Sequence, residues 1–310
     1  MRDKSVSTVI TTYNRDTKYV REAIESAVFQ TYPPIEVIVV DDNGIGSRFE
    51  NPLRNLCSKY DNVIYLPNEK NSGPQISRNN GISASKGEFV ALLDDDDIWE
   101  KTKLEKQMAL FTDERIGMVY CDGYSFEDGD MTKLSVFRAL SVYERPITYE
   151  MELFNDWIGS TSQAVIRRSV FDDVGYFDVD MPARQDYEMW LRISRKYLIV
   201  GCSEKLLFYR SHSGVRISKD QKKIYLGYEL ILKKYGEDYL KNRYAKAKLI
   251  LKMAKAAVKM KNPGLALKNF FNALFISPKC VFMVIIRYNT HDGSKKYDYM
   301  FDKIQVDRLK

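Results

Sequence analysis

The run Glu36-Val37-Ile38-Val39-Val40 limits, more than any other feature, how this chain can fold. Four consecutive branched apolar residues leave no polar face, so the strand they form must be covered on both sides. Further strands are read at Val6–Thr11, Val63–Leu66 and Phe89-Val90-Ala91-Leu92-Leu93. Helical patterns lie between them, from about Lys18 to Gln30, with Val20, Ile24, Ala27 and Val28 on one face, and from about Gln75 to Ser85. Strands separated by helices of this length connect through right-handed crossovers and build a mainly parallel sheet. The expected fold class is therefore α/β, a Rossmann-like sheet flanked by helices.

From about 120 to 215 the pattern is less regular. It contains a strand at Ala164–Ile166, a helix over Asp186–Lys196, and strands at Leu198–Val200 and Leu206–Tyr209. This stretch reads as the second half of the same domain, with a mixed sheet, so the first domain is placed at 1–218. Residues 219–310 read as a helical extension. There Lys248, Lys252, Lys255 and Lys259 share one helical face, opposite Ile250, Met253, Ala254 and Ala257. Asn262-Pro263-Gly264 breaks that helix, and a second one carries Phe270, Phe271, Leu274 and Phe275. The pair looks like a single tetratricopeptide-type hairpin.

Charge divides along the same line. Residues 219–310 hold 21 Lys and Arg against 8 Asp and Glu, whereas residues 1–218 hold 27 against 34. An acidic body with a basic extension points to two parts with different partners. The lysine face is expected to attract anionic headgroups, with Phe270, Phe271 and Val281–Ile286 contacting lipid. No RNA- or DNA-binding module is recognisable, so nucleic acid is not an expected partner. Four dispersed cysteines form no CxxC pair, which argues against both a disulfide framework and a zinc site. The N-terminus runs directly into the first strand. The longest apolar run near the end, Cys280–Ile286, is far shorter than the about 20 residues of a spanning helix. A cytoplasmic protein, peripheral on the inner face of the plasma membrane, is the expectation.

The chemistry is written where two strands stop. Val37–Val40 ends directly in Asp41-Asp42, and Phe89–Leu93 ends directly in Asp94-Asp95-Asp96-Asp97. Ligands of open parallel sheets bind beyond the carboxyl ends of the strands, so both clusters are expected at one cleft. Four consecutive aspartates repel one another unless a cation lies among them, and hard oxygen ligands select Mg²⁺ or Mn²⁺. The plainer alternative is a solvated acidic loop capping a following helix at Trp99–Phe111.

The segment Val6-Ser7-Thr8-Val9-Ile10-Thr11-Thr12-Tyr13-Asn14-Arg15 resembles the opening strand of family 2 glycosyltransferases of the GT-A fold. Ile35–Asn43 is similar to their second strand. The series Asn71-Ser72-Gly73, Ser77-Arg78-Asn79-Asn80-Gly81, Lys86-Gly87-Glu88-Phe89 and Leu93–Asp97 follows the family's order. Val174-Gly175-Tyr176-Phe177-Asp178 and Gln185-Asp186-Tyr187-Glu188 look like its later motifs. The resemblance spans about residues 5–215 and implies inverting transfer of a sugar from a nucleoside diphosphate, UDP favoured, to a glycan or lipid-linked glycan hydroxyl. It assigns Thr11, Tyr13, Asp42, Arg78, Asp94 and Asp95 to the donor nucleotide, Asp96 and His212 to the metal, and Asp186 to catalysis as the base. Within that scheme Asp42 accepts from the base imide, Tyr13 packs on the base ring and Asp95 meets the ribose. Outside these motifs, Trp157, Gly159 and Ser160 are read as lining the acceptor side.

The resemblance fits the chemistry. A departing diphosphate needs its charge neutralised, and an acceptor hydroxyl needs a base. Two other readings stay open. Asp94-x-Asp96 after a buried strand also suits a haloacid-dehalogenase-type phosphatase, although Ile98 stands where that loop wants Thr or Val. A catalytically inactive GT-A-like binding module is the other.

Overall fold

The computed structural model describes residues 4–137, 146–211 and 219–288. The chain divides into two compact units. One comprises Met1–Glu152, Asp156–Asp180 and Gln185–Gly214; the other comprises Leu153–Asn155, Met181–Arg184 and Val215–Lys310.

In the first unit β1 (Val6–Thr12) pairs in parallel with β2 (Glu36–Asp41) and with β4 (Phe89–Asp94), and β2 pairs in parallel with β3 (Val63–Pro67). Every residue of β2 is buried, as its uninterrupted branched run demands. The helices α1 (Thr17–Val28), α2 (Glu50–Cys57) and α3 (Pro74–Ala84) connect these strands. Asp16 caps α1 by accepting from the Lys18 amide, and Val20, Ala23, Ile24 and Ala27 face the core. Where α3 meets the sheet there is no room for a side chain. A Cβ on Gly81 would stand 2.3 Å from Val9 Cγ1 and 3.0 Å from Val40 Cγ2.

The second half of the unit is mixed. Beyond β4 come β8 (Val165–Arg167), antiparallel, then β6 (Ile116–Glu127), then β9 (Leu198–Ser211), parallel to β6, and finally β5 (Ile98–Trp99). A hairpin strand β7 (Asp130–Phe137) pairs with β6 off this path, giving nine strands among the described residues. Three helices, α4 (Lys103–Ala109), α6 (Ser169–Val174) and α7 (Gln185–Lys196), belong here, and the last residues of α5 (Tyr149–Phe154), Leu153 and Phe154, count with the second unit. Two sequence expectations change. The segment expected as a helix over 99–111 begins as strand β5, because Ile98 and Trp99 pair with Phe208 and Leu207. The two strands expected at 198–200 and 206–209 are one continuous β9, whose polar middle, Ser203-Glu204, is exposed.

The second unit is helical: α8 (Gln221–Lys234), α9 (Gly236–Lys241), α10 (Arg243–Lys259), α11 (Pro263–Ile276) and α12 (Pro278–Tyr288). Asn262 caps α11 by accepting from the Leu265 amide, with Pro263 in the first turn, where its missing N–H costs nothing. Ile250, Met253, Ala254 and Ala257 are buried, as their spacing implies. Two members of the lysine face are exposed, Lys255 and Lys259. Lys248 Nζ stands 3.8 Å over the Phe154 ring and Lys252 Nζ 5.8 Å over the Tyr228 ring, so these two stems serve packing within the unit. No helix among the described residues is long and apolar enough to cross a membrane.

Candidate active site

Register brings the acidic clusters together. Thr11 of β1 pairs with Asp94 of β4, and Thr12 pairs with Asp41 of β2, so three parallel strands release their chains at one edge. Asn14 follows in a left-handed conformation, φ 48°, which asparagine tolerates, and its amide donates to Asn43 Oδ1 at 2.7 Å. The loops after β1 and β2 are thereby joined. Thr11 is half-buried beside them, and the Tyr13 ring is 56% exposed just past the strand.

Each of the four aspartates has a protein partner, and two of them share one. Asp94 accepts from Arg78 Nη2 at 2.7 Å and from Thr161 Oγ1 at 3.2 Å. Asp95 and Asp96 converge on one guanidinium, with Arg15 Nε 2.9 Å from Asp95 Oδ1 and Arg15 Nη2 3.0 Å from Asp96 Oδ2. Burial pushes the Asp95 carboxyl up to about 7; Arg15 opposes this, and the crowding of Asp96 and Asp94 adds to it. Asp97 is fully buried, accepting from Ser162 Oγ at 2.7 Å and from the Arg210 amide at 3.1 Å. Its carboxyl is held well above the usual range by burial first, then by Asp96 and Asp94. Asp97 is thus a buried bracket rather than a ligand.

Arg210 completes the bracket. It is 4% exposed; its Nε donates to the Asp96 carbonyl at 2.8 Å and its Nη1 to Asp128 at 2.8 Å, while Nη2 pairs with Glu22. The end of β9 is therefore fastened to the aspartate loop, to α1 and to the β6–β7 turn. Neither Arg15 nor Arg210 was singled out from sequence. The available signal for Arg15 was a lone cation directly after Tyr13-Asn14 at the end of β1.

Two expected donor-binding residues also have partners within the protein. The Asp42 carboxylate accepts from Asn68 Nδ2 (2.7 Å), the Ser72 amide (2.8 Å), the Gly73 amide (2.9 Å) and Asn71 Nδ2 (3.2 Å). With four donors on its carboxylate, Asp42 holds the 68–73 loop in shape. Arg78 is buried and pairs with Asp94 through Nη2, with its guanidinium 5.8 Å from the Phe177 ring centre; its Nη1 has no hydrogen-bond partner among the described residues.

Asp186 stands in the first turn of α7, its Oδ1 accepting from the Tyr187 amide at 2.8 Å. Arg184, two residues before it, has φ 63°, a conformation that costs energy in a residue without asparagine's local compensation. One turn on, Trp190 Nε1 donates to the Gly159 carbonyl at 3.4 Å and its ring meets Phe177 edge-on. Thr161 reaches Asp94 from the same 159–163 segment. Packed side chains of one unit thus connect α7 to the aspartates. Trp157 is a correction: it is buried, with Nε1 donating to the Met151 carbonyl at 2.7 Å, so it is a core residue and does not line an acceptor surface. Ser160 instead caps the 161–163 turn. His212 lies outside the described residues.

No three histidine, cysteine, aspartate or glutamate side chains among the described residues form a ready metal cluster. The donor set still fits a hard cation. Two carboxylates already converge on one positive group, and Mg²⁺-type ions are commonly held by one or two carboxylates with the remaining positions supplied by phosphates and water.

The sequence model described as glycosyl transferase family 2 matches residues 7–175, which includes β1, the aspartate loop and the 159–163 turn. This chain belongs to glycosyltransferase family 2. Family members similar to it include the putative teichuronic acid biosynthesis glycosyltransferase TuaG of Bacillus subtilis, 32% identical over 216 residues, covering 66% of this chain and 78% of that protein. A UDP-Glc:alpha-D-GlcNAc-diphosphoundecaprenol beta-1,3-glucosyltransferase, WfaP of Escherichia coli, is 27% identical over 235 residues, covering 74% and 86%. Among solved structures, S. aureus TarS 1-349 in complex with UDP-GlcNAc has a TM-score of 0.57 at 16% identity, covering 87% and 90%. The mannosyltransferase PcManGT of Pyrobaculum calidifontis, in complex with GDP-Man and Mn2+, has a TM-score of 0.55 at 14% identity, covering 99% and 81%. The family 2 chain has the GT-A fold and is a glycosyltransferase; the phosphatase and binding-module readings are set aside.

Proposed function

We propose that this glycosyltransferase moves a sugar from a UDP-sugar to a hydroxyl of a glycan or lipid-linked glycan during surface-polysaccharide synthesis, with inversion and with Mn²⁺ or Mg²⁺ bound at Asp96. The observation that carries this is the convergence of Asp95 and Asp96 on a single cationic group at the shared edge of β1, β2 and β4. TuaG and WfaP support the polysaccharide setting, WfaP and the TarS complex support a UDP donor, and WfaP supports a lipid-linked acceptor.

A divalent ion held there supplies charge neutralisation for the leaving diphosphate. Tyr13 offers its exposed ring to the base, Thr11 lies beside it, and Asp42 fixes the loop that borders the nucleoside. Asp95 faces the ribose, and Arg78 keeps Asp94 in place with one nitrogen left to donate. Asp186 accepts the proton of the acceptor hydroxyl as its oxygen bonds to the anomeric carbon and the bond from that carbon to the diphosphate breaks. Inversion needs one such displacement and no sugar–protein bond.

The test is a thermal-shift series of UDP, GDP and TDP with and without Mn²⁺, followed by turnover with UDP-sugars. UDP with Mn²⁺ is expected to raise the midpoint, because a ligand bound only to the native state stabilises it. Asp96→Ala should erase the Mn²⁺-dependent part. Asp186→Asn should keep the donor-induced shift while transfer falls by about 10²–10⁴-fold, the usual worth of a general base. Near-native transfer by Asp186→Asn removes that residue from the mechanism, and a midpoint indifferent to every nucleotide removes the reading.

A further inference from the structure

The second unit carries an apolar face that nothing among its described residues covers. Along α11, Leu267, Phe271 and Phe275 follow one another at four-residue spacing, so they form one stripe. They are 56%, 59% and 87% exposed, and Phe282 of α12 is 65% exposed. Next to them is an open groove of about 420 Å³ lined by Phe270, Leu274, Pro278, Lys279, Val281 and Phe282. A single exposed phenylalanine is ordinary, but three with a leucine and an apolar groove form a patch that marks a contact surface.

Charge identifies what it contacts. From Arg243 to Tyr288, 46 residues, the chain has ten Lys and Arg and no Asp or Glu. Lys268 and Lys279 are exposed on the same two helices. Protein interfaces are depleted in lysine, and a partner protein would normally be matched by charges of both signs. A surface that is uniformly negative and apolar just beneath asks for cations and aromatic rings with no carboxylate among them. We propose that the α11–α12 face docks on an anionic phospholipid bilayer, with Leu267, Phe271, Phe275 and Phe282 entering the headgroup–acyl boundary and the lysines lying among the headgroups. This relocates lipid contact from the lysine stripe of α10, two members of which are turned onto rings. It does not depend on which donor or acceptor the enzyme uses.

Sedimentation of the full chain with vesicles tests it. The protein is expected to sediment with vesicles of phosphatidylcholine and phosphatidylglycerol at 3:1 in 0.1 M NaCl, weakly with pure phosphatidylcholine, and less in 0.5 M NaCl as screening grows. Phe271→Ser with Phe275→Ser, and separately Lys268→Glu with Lys279→Glu, should each weaken binding at least about tenfold. All four side chains are exposed, so the melting midpoints should stay near that of the parent. Phe275→Trp should emit as a solvated indole in buffer and shift to the blue on adding the anionic vesicles. No sedimentation with anionic vesicles, or unchanged binding by the serine pair, overturns the proposal. Emission already blue-shifted without lipid also overturns it, because the face is then covered by the chain's own remaining residues or by a second copy.

Discussion

Lys103 is the residue whose chemistry is most at odds with its surroundings. It is fully buried at the start of α4, its ammonium 4.0 Å over the Trp99 ring and without a hydrogen-bond partner among the described residues. Burial lowers its pKa to about 8. The shift from 10.5 to about 8 corresponds to a cost of about 3 kcal/mol for keeping the group charged. The unfolded chain holds this proton between pH 8 and 10.5 while the folded chain releases it, so the cost is complete below pH 8 and fades as pH rises through that window. Lys103→Met is therefore expected to raise stability by about 1–3 kcal/mol at pH 7, with the gain shrinking by pH 10; urea unfolding at both pH values checks it. Nothing in the sequence announced this residue, because Lys103 follows a Trp-Glu-Lys-Thr stretch that reads as a solvated helix start. The aspartates were legible for the opposite reason: a branched apolar run that stops without turn residues leaves Asp94–Asp97 only the sheet edge to occupy. Arg15 was not, since its partners lie 80 and 81 positions away and only the β1–β4 register joins them.

At the scale of elements, the parallel half was readable and the mixed half was not. β2 and β4 are near-continuous apolar segments and β1 is rich in β-branched residues; all three are buried along almost their whole length, and strand is what such segments become. β7 has six consecutive exposed residues, so no alternation betrays it, and β5 is two residues that exist only because β9 pairs with them. The eight-residue α2 was missed because it is too short for periodicity to show. The most confining element is α3, whose Gly81 leaves its backbone against β1 and β2. Gly81→Val should cost about 1–3 kcal/mol or more through overpacking, seen as a lower urea midpoint with an unchanged slope. Because α3 also carries Arg78, the same variant should loosen the Asp94 end of the site and weaken nucleotide-induced stabilisation.

For the whole molecule, the division into units is not a cut at one position. Leu153, Phe154, Met181 and Ala183 are all buried within the helical unit, where Tyr239 Oη donates to the Leu153 carbonyl at 3.3 Å. The Gly227 position admits no side chain, as a Cβ there would stand 2.5 Å from the Ala183 carbonyl. A chain ended after Ser211 leaves those apolar residues uncovered, although the family match ends well before it. Such a chain is expected to aggregate or to melt at least several degrees lower, measured by light scattering and calorimetry beside the full chain. The bracket formed by Asp97, Ser162 and Arg210 has its own timetable. A ribosome delivers Asp94–Asp97 more than a hundred residues before Arg210, so for over a third of its synthesis the nascent protein carries the aspartate loop without the arginine that clasps it. The aspartate loop therefore reaches its final shape only after β9 has been made.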